Sequence, residues 1–230
     1  HERYFEELGT IGTYLLGLCF CVHCLEAARR TGVDAEMVHR SVRDELERRF
    51  EDDGGSGSSQ ELSRDRLAAF GDEQLLGYLD ARIETVTALA AEVSAAAGTD
   101  TSVAFLDLSG AEKGFATGHP TGDAAPTVGW QMGIDVAALA EVCETIEVTG
   151  YAADPDRLSL DLDAYQTLVA DTSRLGLMLR PMPPDCRSAD NLVAKVALAR
   201  ERRLKRIDFY HYGFCQLRSL DWIRESLTAV

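Results

Sequence analysis

Apolar residues follow two different spacings along the chain, and the change from one to the other falls near residue 100. From Glu2 to Leu18, residues Tyr4, Phe5, Leu8, Ile11, Tyr14 and Leu15 recur at three- and four-residue intervals, which predicts a helix. The apolar run from Leu15 to Cys21 at its end reads as a short buried strand. Leu25 to Phe50 returns to helical spacing with a break at Thr31 and Gly32, so two helices joined by a turn are predicted. Residues 61–97 predict one long helix with an apolar stripe of Leu75, Leu79, Ile83, Val86, Leu89 and Val93. Residues 51–60, EDDGGSGSSQ, contain no apolar side chain and read as a flexible insertion within a single domain spanning residues 1–230.

Beyond Ser102 the pattern shortens to four β-rich runs: VAFLDL (103–108), TIEVTGY (145–151), LGLMLRP (175–181) and RIDFYHYG (206–213). Helices are predicted at Val136 to Cys143, Leu160 to Ser173, Ala189 to Arg203 and Leu217 to Leu227. Strand and helix alternating at intervals of roughly 30 to 40 residues are the signature of parallel βα units. Neither G-x-G-x-x-G nor G-x-x-x-x-G-K-(S/T) occurs, which argues against a doubly wound nucleotide-binding sheet. The strands are followed instead by polar or aromatic segments (SGAEKG, TGYAADPD, RPMPPD, YHYGF), the way a barrel builds a site at its C-terminal face. The expected fold is therefore α/β, a (β/α)8 TIM-barrel-like domain. Counting a strand near Leu18 gives five strands, so an incomplete barrel is expected: its C-terminal part, or a sheet completed by a dimer.

Period-two alternation assigns faces. With Ile146, Val148, Leu177, Leu179, Ile207 and Phe209 packed on helices, the inward set is Glu147, Thr149, Met178, Arg180, Asp208 and Tyr210. Asp107 is ambiguous and is counted with them. So polar a lumen is either a salt-bridge network around Arg180 or a ligand site, because unpaired buried charges are costly. Tyr210, His211 and Tyr212 at the last strand end suit stacking on a sugar face and bonding to its hydroxyls. Residues 112–133 are long and glycine-rich and hold His119, Asp123 and Trp130; a lid with Trp130 as a platform is expected.

Charge narrows the partners. Asp and Glu number 38 against 23 Lys and Arg, a formal net charge of -15, which opposes binding to nucleic acid or an anionic membrane. The acid excess suits a protein kept soluble in concentrated salt, so a halophilic source and a cytoplasmic location are expected. No apolar run is long enough for a membrane span. Six cysteines are present, with Cys19, Cys21 and Cys24 clustered beside His23 in CFCVHC. Zinc uses such ligands, but no second ligand pair follows at the spacing of a structural zinc site; the cluster is either a metal site or a thiol-lined strand end, and no other cofactor is expected.

The segments LLGLCFCVHC (15–24), DFYHYGF and LRSLDWIRESL (within 208–227) resemble uncharacterised glycoside-hydrolase-like (β/α)8 barrel proteins of bacteria and archaea. In those proteins a C-(F/Y)-C-x-x-C strand end precedes a helix and the last strand ends in an aromatic Y-x-Y-G segment. The resemblance spans nearly the whole chain as the later half of a barrel, and implies a carbohydrate-related function. Retaining glycosidases carry carboxylates about 5 to 5.5 Å apart at the ends of strands four and seven; the corresponding positions here read Cys19 to Cys24 and Arg180. The expected catalytic set is instead Glu147 with Asp107 or Asp208, with Arg180, Tyr210, His211 and Trp130 contacting the ligand. The alternative is a noncatalytic protein in which Cys19, Cys21, Cys24 and His23 hold a structural metal.

Overall fold

The computed structural model describes residues 9–51, 62–111, 123–211 and 213–229. The chain divides into two compact units, residues 1–86 and 87–230.

The first unit is helical. It comprises α1 (Gly9–Leu16), α2 (Val22–Arg30), α3 (Ala35–Glu51) and the leading part of α4 (Arg64–Ala97). The turn predicted at Thr31 and Gly32 is present. Gly32 takes a positive φ of 85°, and the amide of Val33 closes back on the carbonyl of Ala28, so the glycine ends α2 where a side chain would be strained. Asp34 then caps α3 by accepting from the amide of Met37 at 2.9 Å. Leu15, Ala28, Val38, Val42, Leu67, Leu75, Tyr78 and Leu79 are buried within this unit.

No strand forms near Leu18, which corrects the expectation of five strands. The amides of Gly17 and Leu18 bond to the carbonyls of Tyr14 and Leu15, finishing α1 with tight helical turns. A short apolar run fits a buried helix end as well as a strand, and here the helical spacing ahead of it carries through. The glycine- and serine-rich stretch at 52–60 lies outside the described residues.

The span α4, expected as one long helix, is two helical segments meeting at a kink at Asp72, whose φ of 58° and ψ of -178° are not helical. Its apolar stripe does not run its full length: Leu75 and Leu79 are buried, whereas Leu89 and Val93 are exposed. Past residue 86 the buried line shifts to Ala90, which joins the core of the second unit, and Ser94, whose hydroxyl lies 4.0 Å from the Cys143 sulfur.

The second unit contains β1 (Ala104–Asp107), α5 (Val136–Val142), β2 (Thr145–Thr149), α6 (Pro155–Leu168), β3 (Leu175–Leu179), α7 (Ala189–Glu201), β4 (Arg206–Phe209) and α8 (Leu217–Thr228). The four strands are parallel and lie in the order β1-β2-β3-β4. The α/β class is as expected; a closed barrel is not what these four strands form by themselves. Helix α6 starts five residues earlier than predicted because Asp154 caps it and Pro155 occupies its first turn, a start signal the apolar spacing does not contain.

Right-handed crossovers that always advance to the next strand place their helices on one face of a sheet. The core follows that rule. Ile146, Val148, Leu175, Leu177 and Leu179 pack with Leu139 of α5, Leu158 and Leu162 of α6, and Leu192 and Val196 of α7, while Trp222 and Ile223 of α8 pack at its margin. The cationic side chains of Arg157 and Lys195 are buried on this side. Arg157 donates to both oxygens of Asp161 (3.1 and 2.9 Å) and to the carbonyl of Asp123 at 2.6 Å; Asp161 also accepts from the amide of Ala125. Lys195 donates to the carbonyls of Ala152 and Asp185, tying together the segments that follow β2 and β3.

Candidate functional site

The face of the sheet turned away from these helices carries the polar alternation predicted from sequence. Register sorts it into layers. Glu147, Gly176 and Arg206 lie side by side across β2, β3 and β4; Thr149, Met178 and Asp208 form the next layer. One step further toward the strand ends, the same phase brings Tyr151, Arg180 and Tyr210.

In the first layer Glu147 reaches over the middle strand. A Cβ placed on Gly176 would lie 2.1 Å from Oε2 of Glu147, so only glycine at that position lets the carboxylate cross β3. On the far side Nε of Arg206 donates to Oε2 of Glu147 at 2.8 Å. The same Nε lies 2.8 Å from Oδ2 of Asp208. One N–H cannot be aimed at both, and Oε1 of Glu147 and Oδ2 of Asp208 are buried with no hydrogen-bond donor among the described residues. Glu147 is 2% exposed. Burial pushes its pKa up to about 7, with hydrogen bonding to Asp208 and the charge of Asp208 adding to the rise against the pull of Arg206. A proton held by Glu147 thus relieves the repulsion of two neighbouring carboxylates.

The outer layer is aromatic and cationic. The rings of Tyr151 and Tyr210 stack with centroids 6.4 Å apart, and the Arg180 guanidinium lies 4.7 Å from the centre of the Tyr151 ring. Arg180 is ion-paired with buried Asp185, and the cation holding Glu147 is Arg206. Burial raises the Tyr151 hydroxyl to about 12, and it lies within 3.4 Å of the Met178 sulfur. His211 packs edge-on between Tyr210 and Phe214, at 4.6 and 4.3 Å, and its Nδ1 accepts from the amide of Gly213; the Tyr210–His211 peptide is cis.

One expected member lies elsewhere. Asp107 pairs in register with Val148 and therefore faces the helices. There Oδ1 accepts from the amide and hydroxyl of Ser109 (2.8 and 2.6 Å) and Oδ2 from the Tyr165 hydroxyl at 2.5 Å, a structural anchor on the opposite side from Glu147. Trp130, expected as a platform, belongs to a 3₁₀ segment, Ala125–Met132, in which Ala125, Val128 and Gly129 are buried. The rest of the expected lid, 112–122 with His119, and Tyr212 lie outside the described residues.

The cysteine cluster belongs to the first unit. The Sγ atoms of Cys19, Cys21 and Cys24 all lie within 4.8 Å of one another. Cys21 occupies the N-cap position of α2, where the amide of Cys24 and the neighbouring thiols bring its thiol down to about 7; burial and its thiol neighbours hold Cys24 up at about 12. His23 is exposed and is not part of the group, against its expected role as a fourth ligand.

Comparison of the chain with protein-family models, curated proteins and solved structures gives no match. Among the described residues, no helix is long and apolar enough to cross a membrane.

Residues missed by the sequence reading are Arg206, Gly176 and Tyr151. Arg206 and Tyr151 each lie one alternation step from a residue that was assigned correctly, Asp208 and Thr149 respectively.

Proposed function

We propose that the face of the sheet turned away from α5, α6 and α7 binds a carbohydrate or related polyhydroxylated molecule and hydrolyses it in the manner of a glycoside hydrolase, as part of a barrel-like architecture. The observation that carries this reading is the carboxyl pair: Glu147 with one oxygen fixed by Arg206 and the other without a donor, beside Asp208. A proton-bearing carboxyl next to an ionised one is the pairing that protonates a leaving oxygen while stabilising positive charge on the sugar ring. Tyr151 and Tyr210 supply flat surfaces for the apolar face of a pyranose, and Arg180 and His211 supply polar groups at the rim. Four parallel strands in chain order with helices on one face also match a run of consecutive units of a (β/α)8 barrel.

The test is saturable binding of a panel of mono- and oligosaccharides by calorimetry, followed by release of reducing ends. Glu147→Gln should abolish turnover while leaving the unfolding transition in place. Equal loss of folding and binding would assign Glu147 to structure alone and reject the reading.

A further inference from the structure

The three clustered cysteines lie in the first unit, among residues that the sheet-face reading does not use. Their backbone is held in place from behind. The ring of Phe20 is stacked on His39 at 4.7 Å and on Tyr78 at 5.0 Å, and the Tyr78 hydroxyl donates to the carbonyl of Cys19 at 2.6 Å. The amide of Leu25 bonds to the carbonyl of Cys21 as α2 begins. Pinned by these contacts, the segment turns all three sulfurs to one spot, with Cys19 and Cys21 exposed and Cys24 half-buried.

The spacing suits coordination. Zinc–thiolate bonds of about 2.3 Å at tetrahedral angles separate two sulfurs by about 3.8 Å. Cys21 and Cys24 are 3.6 Å apart, and the widest separation in the group is within 4.8 Å, so little movement closes all three on one ion. Cysteines serving only as small apolar side chains are buried, as Cys143 and Cys186 are in this chain. An outward-facing group of three is a poor packing arrangement and a good ligand set.

We propose that Cys19, Cys21 and Cys24 form a three-thiolate site for a thiophilic d¹⁰ cation, Zn²⁺ above all, with the fourth coordination position open to an external ligand. Structural zinc sites are closed by four protein ligands, whereas sites with three keep an exchangeable position. Among the described residues no fourth Cys, His, Asp or Glu joins the group. Each cysteine that is still a thiol loses its proton to solvent as it ligates, up to three protons per ion bound, and no oxidant or reductant takes part.

The test uses the full chain, reduced and handled without oxygen, titrated with Co²⁺ alone as a spectroscopic stand-in for zinc. Expected are thiolate-to-cobalt charge-transfer bands and tetrahedral d–d bands saturating at one ion per chain, both bleached by one equivalent of Zn²⁺. Cys19→Ser, Cys21→Ser and Cys24→Ser should each weaken binding by roughly tenfold or more, and Cys215→Ser should leave it unchanged. Imidazole added to the cobalt form should shift the d–d bands. Absence of saturating bands, or bands that survive in the triple serine variant, would overturn the site. A spectrum indifferent to imidazole would overturn the open position. Should a serine variant lose its far-ultraviolet circular dichroism, the unsubstituted chain's spectrum and stoichiometry still decide the question.

Discussion

Glu147 on β2 and Arg206 on β4 are joined by a 2.8 Å hydrogen bond that passes over the strand between them. Nothing in the first layer separates the two, because the intervening position is Gly176. The geometry ties the carboxylate's proton affinity to a cation two strands away, and it makes a residue without a side chain part of the candidate site.

Gly176→Ala should therefore be disproportionately harmful for one added methyl. The new Cβ would collide with Oε2 and Cδ of Glu147, at 2.1 and 2.8 Å, and force the side chain off Arg206. A loss of about 1 to 3 kcal/mol is expected for such overpacking, readable as a lower urea midpoint with unchanged slope. Glu147→Gln/Gly176→Ala should lose about as much as Gly176→Ala alone, since the clash is with side-chain size.

Stability should depend on pH through Glu147. Its pKa in the folded chain, about 7, lies above its ordinary 4.5. Between those values the folded protein keeps a proton that the unfolded chain releases, so the contribution is full below pH 4.5 and is lost as pH rises through 7. The loss is on the order of 3 kcal/mol. Unfolding measured at intervals across that window should show the decline, and Glu147→Gln should flatten it.

Arg206→Met removes the cation from between Glu147 and Asp208 while keeping the aliphatic stem. With the pull of Arg206 gone, Glu147 should titrate at higher pH still. Carboxyl carbon shifts in a ¹³C-labelled sample followed through a pH titration would read the movement; an unchanged or lowered midpoint would mean that Arg206 does not act on Glu147.

The pair Arg157 and Asp161 supports the segment ahead of α5 from the opposite face of the sheet. Asp161→Ala leaves the Arg157 guanidinium buried with the carbonyl of Asp123, and leaves the amide of Ala125 without its acceptor. Removal of one partner of a buried ion pair costs about 3 to 5 kcal/mol. Replacing both, Arg157→Met with Asp161→Leu, should recover part of that loss, as seen by thermal unfolding.

Alternation made the polar face legible wherever one phase of a strand was purely apolar. Ile146 and Val148, and Ile207 and Phe209, are enough by alternation to put Glu147 and Asp208 on the face away from the helices. VAFLDL carries apolar residues on both phases, so Asp107 could not be placed; Phe105, in contact with the helix-side core, settles it. Gly176 was invisible for a different reason: a glycine inside a strand reads as a weak point, and its use as a passage for a neighbour's side chain depends on register, which periodicity does not encode. The cysteine cluster was plain from spacing, but its setting was not, because the apolar run before it suits a strand and a helix end equally.

The chain order of the four strands also bears on how the second unit comes together. Each strand pairs with the one from the adjacent βα unit, so partners are separated by roughly 30 to 40 residues, and no pairing has to wait for a distant part of this unit. Assembly can start at the doubly buried pair β2 and β3 and extend outward in both directions, one unit at a time. Since Glu147 finds Arg206 only after β4 has docked, the carboxyl pair forms in the last of these steps on its side, and its altered proton affinity would serve as a clock for completion of the sheet.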